Sequence, residues 1–151
     1  MKKITPFLWF DDNAVQAADY YLEIFEDSEL LSTMPGPAGS PKGVTVRLKN
    51  QELILFNGGP KFTFNEAVSL FVTCDSQADV DYHWDRLLEG GEPSACGWLK
   101  DRFGVSWQIV PDMLGDVLAG DDPAGAQRAM QAMLGMVKLD IAELQRAYDG
   151  D

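Results

Sequence analysis

Asp101-Arg102-Phe103-Gly104-Val105-Ser106-Trp107-Gln108-Ile109 is the stretch from which the rest of the chain can be read. Apolar runs flank it on both sides. Cys96 to Lys100 and Ser106 to Val110 read as two strands of a hairpin around Asp101-Arg102-Phe103-Gly104. Gly104 supplies the positive φ that such a turn demands. Strict alternation puts Cys96, Trp98 and Lys100 on one strand face.

Upstream of the hairpin, Ser69 to Cys74 reads as an apolar strand, and Asp75 or Ser76 as the cap of a helix. The buried stripe of that helix is expected to be Val80, Trp84, Leu87 and Leu88, with His83 solvated on the opposite face. Glu89-Gly90-Gly91 ends it, because glycine accepts the left-handed cap. A short strand is expected near Pro93-Ser94-Ala95.

The first half follows the same plan. Thr5 to Phe10 reads as a strand, and Asp11 or Asp12 as a helix cap. Ala14, Ala17, Ala18, Tyr21 and Phe25 recur at helical spacing. Glu29 to Met34 is a strand, and the Pro/Gly-rich segment Pro35–Pro41 is a loop with no regular element. Val44 to Leu48 and Leu53 to Phe56 pair around Lys49-Asn50-Gln51. A shift of 64 residues lays Asp11-Asp12-Asn13-Ala14 on Asp75-Ser76-Gln77-Ala78, with strand before and amphipathic helix after. The prediction is an α+β fold in which strand, helix, then two or three strands occur twice, over about residues 1–60 and 66–111, followed by C-terminal helices over about 112–151. In that tail Met113, Leu114, Val117 and Leu118 suggest a short helix, and Asp122 with Pro123 opens another. Its stripe is read as Ala126, Met130, Met133 and Leu134. Asp140 with Glu143 has the spacing of a capping box, with Leu139 and Leu144 placed as a hydrophobic staple.

Bulk properties narrow the partners. The chain has 151 residues and a net charge of -12, with no Lys/Arg cluster, so a polyanion such as nucleic acid is a poor partner. The apolar run after Met1-Lys2-Lys3 is cut by Asp11 and Asp12, too soon for a signal peptide or membrane span. A cytoplasmic protein is expected. Its two cysteines, Cys74 and Cys96, form no CxxC pair and are expected as free thiols.

The hairpin stretch resembles the final hairpin of the vicinal-oxygen-chelate superfamily (glyoxalase, bleomycin resistance, dioxygenase), usually D-P-x-G-N-x-x-E-L. Asp101, Gly104 and Ile109 fit it, and Gln108 stands where the usual Glu is a metal ligand. A longer similarity is to the PhnB-like branch, often called 3-demethylubiquinone-9 3-methyltransferase. It is carried by Pro6-Phe7-Leu8-Trp9-Phe10-Asp11, Phe56-Asn57-Gly58-Gly59-Pro60, Cys96-Gly97-Trp98-Leu99-Lys100-Asp101, Ser106-Trp107-Gln108-Ile109 and Arg128-Ala129-Met130. The resemblance implies two tandem βαβββ modules forming a curved mixed sheet and, in superfamily enzymes, a divalent metal held by His and Glu from strands of both modules. It also implies homodimers, in keeping with the prevalence of two-fold symmetry.

The residues expected at a site depart from that metal chemistry. The single histidine, His83, lies on a helix, Gln108 is neutral, and the first-module counterpart, near Leu55 to Asn57, has no carboxylate. No metal and no cofactor are therefore expected. The expected cavity lining is Trp9, Asn57, Phe71, Cys96, Trp98, Trp107 and Gln108, suited to a small aromatic or hydrophobic molecule. The aromatics are read first as core or dimer packing, with the cavity lining as the alternative, since a one-residue slip swaps the faces of a strand. Cys96 as a nucleophile near Lys100 is a weaker alternative, for want of a histidine base. Two other functions stay open: a superfamily isomerase, lyase or dioxygenase with an atypical metal, and the methyltransferase of the family's name. For the latter, Gly58-Gly59-Pro60 is not followed by a helix that would cradle a nucleoside.

Overall fold

The computed structural model describes residues 2–151, which divide after Phe64 into two compact units. The first unit contains β1 (Phe7–Phe10), α1 (Ala14–Ile24), β2 (Ser28–Met34), β3 (Gly43–Leu48) and β4 (Gln51–Asn57). Its four strands lie in the order β1-β4-β3-β2, with β1 parallel to β4 and the other pairs antiparallel. Alternation sorts the side chains cleanly. Phe10, Val44, Val46, Leu48, Leu53 and Leu55 are all 6% exposed or less and form the core under α1, which lies on β3 and β4. Phe7, Trp9, Thr45, Ile54 and Phe56 take the other face. The helix presents Ala14, Ala17, Ala18, Tyr21 and Ile24, and the small alanines let it approach the sheet closely.

The expected cap of α1 is corrected. Neither Asp11 nor Asp12 caps it: the N-cap is Asn13, whose side chain makes no capping bond. Instead Ala14 N–H donates to Asn57 Oδ1 at 2.8 Å, from the end of β4, which the register Phe10↔Asn57 brings alongside. The Pro/Gly-rich loop carries one 3-10 turn, Pro37–Gly39. The β3–β4 turn is shorter than expected, with Leu48 paired directly to Gln51.

The second unit repeats the order with β5 (Ser69–Cys74), α2 (Gln77–Leu88), β6 (Glu92–Pro93), β7 (Trp98–Lys100) and β8 (Ser106–Pro111). Its sheet runs β5-β8-β7-β6, and β5 is parallel to β8 as β1 is to β4. The strands of the expected curved sheet are thus hydrogen-bonded as two four-stranded mixed sheets, one in each unit. Ser76 caps α2 by accepting Asp79 N–H at 3.1 Å. The buried stripe of α2 is Val80, His83, Trp84 and Leu87. His83 is therefore not on the solvated face: it lies three residues after Val80 and four before Leu87, and it is 4% exposed.

The tail belongs to the second unit. It comprises α3 (Met113–Leu118), α4 (Pro123–Leu134) and α5 (Ile141–Asp149). Val110, Leu114, Met136, Leu139 and Leu144 make its core, with Met113 and Met133 packed against it. Asp140 caps α5 by accepting Glu143 N–H at 3.0 Å. The stripe expected on α4 is rotated: Gly125 and Ala129 are buried, whereas Met130 and Leu134 are exposed. The reason is steric, since a Cβ at Gly125 would come within 2.7 Å of Tyr148 O, so the smallest side chains face α5. No helix among the described residues is long and apolar enough to cross a membrane.

Candidate functional site

Register within each sheet settles which expected site residues share a face. In the second unit Gln108 lies between Phe71 on β5 and Trp98 on β7, so the three side chains form one row. This row is on the face turned away from α2. Phe71 is 58% exposed at mid-strand, and Trp98 and Gln108 are half-buried. One step along, Ser69, Ser106 and Lys100 form a second, polar row. Gln108 Nε2–H donates to Ser69 Oγ at 3.0 Å and ties the rows together.

A cleft of about 160 Å³ opens beside this polar row, lined by Glu66, Glu92, Ser94, Trp98, Lys100 and Ser106, among others. The Lys100 ammonium pairs with the Glu66 carboxylate in it. That hydrogen bond is the main reason the Glu66 carboxyl is held below the usual carboxylate range. The same bond raises the Lys100 ammonium, and the charge of Glu92 adds to the effect. Ser106 is 1% exposed, and its Oγ has no hydrogen-bond partner among the described residues.

Three of the expected site residues turn out otherwise, and a fourth, Trp9, lies on the first sheet rather than the second. Trp107 faces α2, not the cleft: it is 2% exposed, and its Nε1–H donates to Asp101 Oδ2 at 2.9 Å. Asn57 is occupied in capping α1 and also reaches Pro41 O at 3.5 Å. Cys96 lies before β7, with φ 60 and its N–H bonded to Met136 O, so alternation with Trp98 and Lys100 does not reach it. Trp9 sits on the face of the first sheet turned away from α1, packed edge-on to Phe56 and Phe62, and its Nε1–H donates to Gly59 O at 2.9 Å.

The register also locates the first-module counterpart of Gln108, which stands where the resemblance implies a metal-ligating Glu. Gln108 pairs with Phe71 in the parallel β5–β8 ladder, and Ile54 with Phe7 in the parallel β1–β4 ladder. The first-module counterpart of Gln108 is thus Ile54, not a residue of Leu55 to Asn57. At these two positions an amide and a hydrocarbon side chain do not fit the role of a metal-ligating Glu. Metal-ligating side chains gather elsewhere, on the α2 side of the sheet. Cys74, at the end of β5, and Asp79 and His83, on α2, bring their ligand atoms within 4.8 Å of one another. The sequence signal for the buried His83 is its helical spacing, three residues after Val80 and four before Leu87.

The family profile named 3-demethylubiquinone-9 3-methyltransferase matches residues 2–110, the two βαβββ modules without the helical tail. The chain belongs to that family. It is 30% identical to the PhnB protein from Bacillus cereus, covering 73% of this chain and 99% of that one with a TM-score of 0.68. A glyoxylase/bleomycin resistance protein/dioxygenase domain from Frankia shares the fold at 16% identity, covering 74% and 92% of the two chains, with a TM-score of 0.53. The fosfomycin resistance protein FosX from Listeria monocytogenes, solved with Mn(II) and sulfate, shares it at 13% identity over 70% and 88%, with a TM-score of 0.52. No curated protein matches the chain.

The family's name implies S-adenosylmethionine, and the glycine pair after β4 is where a nucleoside cradle would be sought. The pair is already filled. A Cβ on Gly58 would lie 2.2 Å from the Trp9 ring, and the Gly59 carbonyl takes the Trp9 indole N–H. Gly58-Gly59 in this family member seats a tryptophan, which does not fit a dinucleotide-type cradle.

Proposed function

We propose that this protein binds a small molecule on the second sheet, without the metal site of superfamily enzymes. A planar or apolar part would lie over Phe71 and Trp98, and a polar group would enter the cleft at Ser106 and Lys100. The observation that carries this reading is the pair of adjacent rows. Phe71, Gln108 and Trp98 are exposed or half-exposed in register beside a polar row whose central member, Ser106, has a buried hydroxyl with no partner among the described residues. Apolar walls with a few fixed polar groups are the usual composition of a small-molecule site. An exposed mid-strand phenylalanine is otherwise an apolar liability on a sheet face.

Tryptophan emission tests it. Trp84 and Trp107 are 5% and 2% exposed, so a ligand on the second sheet should act mainly through Trp98. Titration across a panel of aromatic and hydrophobic metabolites is expected to quench emission saturably in the wild type and not in Trp98→Phe. Absence of any saturable binder at millimolar concentration rejects the reading. Burial of Phe71 against a second copy would also reject it, and sedimentation of wild type against Phe71→Ser detects that as a lost dimer.

A further inference from the structure

Beneath α2, on the opposite side of the second sheet from the proposed ligand face, three different metal-binding groups converge. Cys74 is fully buried at the end of β5. Asp79 and His83 stand four residues apart on one face of α2, the spacing at which two helical side chains meet. His83 Nδ1 is 3.9 Å from Cys74 Sγ and 3.2 Å from Asp79 Oδ1. In a tetrahedral zinc site with Zn–S near 2.3 Å and Zn–N and Zn–O near 2.0–2.1 Å, the edges are about 3.5 Å for S···N and about 3.3 Å for N···O. The observed separations match those edges to within a few tenths of an ångström.

We infer that Cys74, Asp79 and His83 bind one divalent cation of the zinc class, through Sγ, a carboxylate oxygen and Nδ1. The ligand types select the metal: a thiolate with an imidazole favours zinc over magnesium or calcium. The carboxylate is already aimed, because Asp79 Oδ2 accepts Asp75 N–H at 3.1 Å while its own N–H is held by Ser76 Oγ. Its side chain is 31% exposed and gives the ion a way in, and solvent would complete the fourth position. Without the ion, Nδ1 lies 2.9 Å from Asp79 O, the geometry of an Nδ1–H donating one turn back along the helix. Binding therefore releases the thiol proton to solvent, and the imidazole proton shifts from Nδ1 to Nε2 as Nδ1 becomes the ligand.

Cobalt(II) titration of the full chain, prepared without a histidine tag, tests the inference. Wild type is expected to take up one equivalent and to show the near-ultraviolet band of a cobalt–thiolate bond with intense visible bands of tetrahedral geometry. Added zinc should abolish both. Cys74→Ala and His83→Gln should lose the bands, and Cys96→Ser should keep them. Asp79→Asn, the least buried change, should weaken binding by more than about tenfold. Far-UV circular dichroism checks that each variant is folded. A wild type with no thiolate band under a tenfold cobalt excess overturns the inference without recourse to any variant. So does a band that survives Cys74→Ala or depends on Cys96.

Discussion

The indole N–H of Trp107 donates to Asp101 Oδ2 at 2.9 Å, while Asp101 Oδ1 accepts the N–H groups of Phe103 and Val105 at 2.8 and 3.1 Å. One buried carboxylate thus closes the turn and ties it to the strand that follows. The bonds from Val105 and Trp107 are buried, and a hydrogen bond to a carboxylate is stronger than one between neutral groups.

Replacing Asp101 with Asn keeps the shape and removes one acceptor. The amide oxygen can still serve Phe103 and Val105, but the amide NH2 then meets the Trp107 indole N–H, donor against donor. Asp101→Asn is expected to destabilise by about 2–3 kcal/mol in urea denaturation. In a Trp107→Phe background, where no donor is left to oppose, the same change should cost clearly less. Equal costs in both backgrounds would mean that the bond does not stabilise the hairpin.

Gly58→Ala tests the seat of Trp9. The added methyl would lie 2.2–2.5 Å from three atoms of the indole, far inside contact distance, and the ring is anchored by Gly59 O. Either the ring leaves its hydrogen bond or the backbone moves. A loss of about 1–3 kcal/mol is expected, the usual range for overpacking. Red-shifted tryptophan emission should accompany it. An unchanged melting temperature and emission maximum would show that Trp9 is free to reposition.

Much of this was legible in the sequence, and the exceptions share a cause. Alternation, glycine caps and the Asp11/Asp75 repeat are local signals, and the α+β class with its two βαβββ modules follows from them. Placement of Phe71, Trp98 and Gln108 needed the register between strands, which no single strand encodes. Asn57 was read as a pocket residue because its role lies 43 residues away, at the first amide of α1. His83 is different: the information was present in its helical spacing, but a polar residue type outweighed it. The α4 face was set by the close approach of Tyr148 to Gly125, a tertiary contact that hydrophobicity alone does not reveal.

Ser106→Ala separates stability from function. Its hydroxyl is buried and has no hydrogen-bond partner among the described residues, so removing it forfeits no bond. The variant should be as stable as wild type or more so, by up to about 1 kcal/mol. Under the proposed reading it should also bind the panel ligand more weakly. A stability loss above about 2 kcal/mol would reveal a structural partner for Oγ and remove the hydroxyl from the ligand argument.

The Lys100–Glu66 pair gives a pH prediction. Glu66 titrates below its ordinary value of 4.5, so its contribution is present above that pH and is lost as pH falls through the lowered pKa. Lys100 titrates above its ordinary 10.5, so its contribution is present below that pH and is lost as pH rises through the raised pKa. Across the interval between the ordinary values the pair stays charged on both sides. In Glu66→Gln the Lys100 amine should deprotonate at lower pH. Its acylation rate at alkaline pH, followed by peptide mass spectrometry, should therefore exceed that in wild type. Equal rates in the two proteins would mean that the pair does not persist in solution.

The helical tail is the last element whose importance can be measured, because the family match ends at residue 110 and the tail begins just beyond it. Two observations make it integral to the second unit. The N–H groups of Cys96 and Gly97 donate to the carbonyls of Met136 and Val137, both at 2.8 Å, so the approach to β7 is hydrogen-bonded to the tail. Val110, the penultimate residue of β8, shares a core with Leu139 and Leu144, which are 1% and 0% exposed on either side of the Asp140 cap. Leu144→Ala removes a fully buried side chain from a junction of three helices and a strand, where collapse around the cavity is limited. It should destabilise by about 2–5 kcal/mol. Because the tail shares its core with β8, the loss should appear in the main unfolding transition, with tryptophan emission and far-UV circular dichroism shifting together. A separate early transition in circular dichroism, with emission from Trp98 and Trp107 unmoved, would instead show the tail to be an independent appendage.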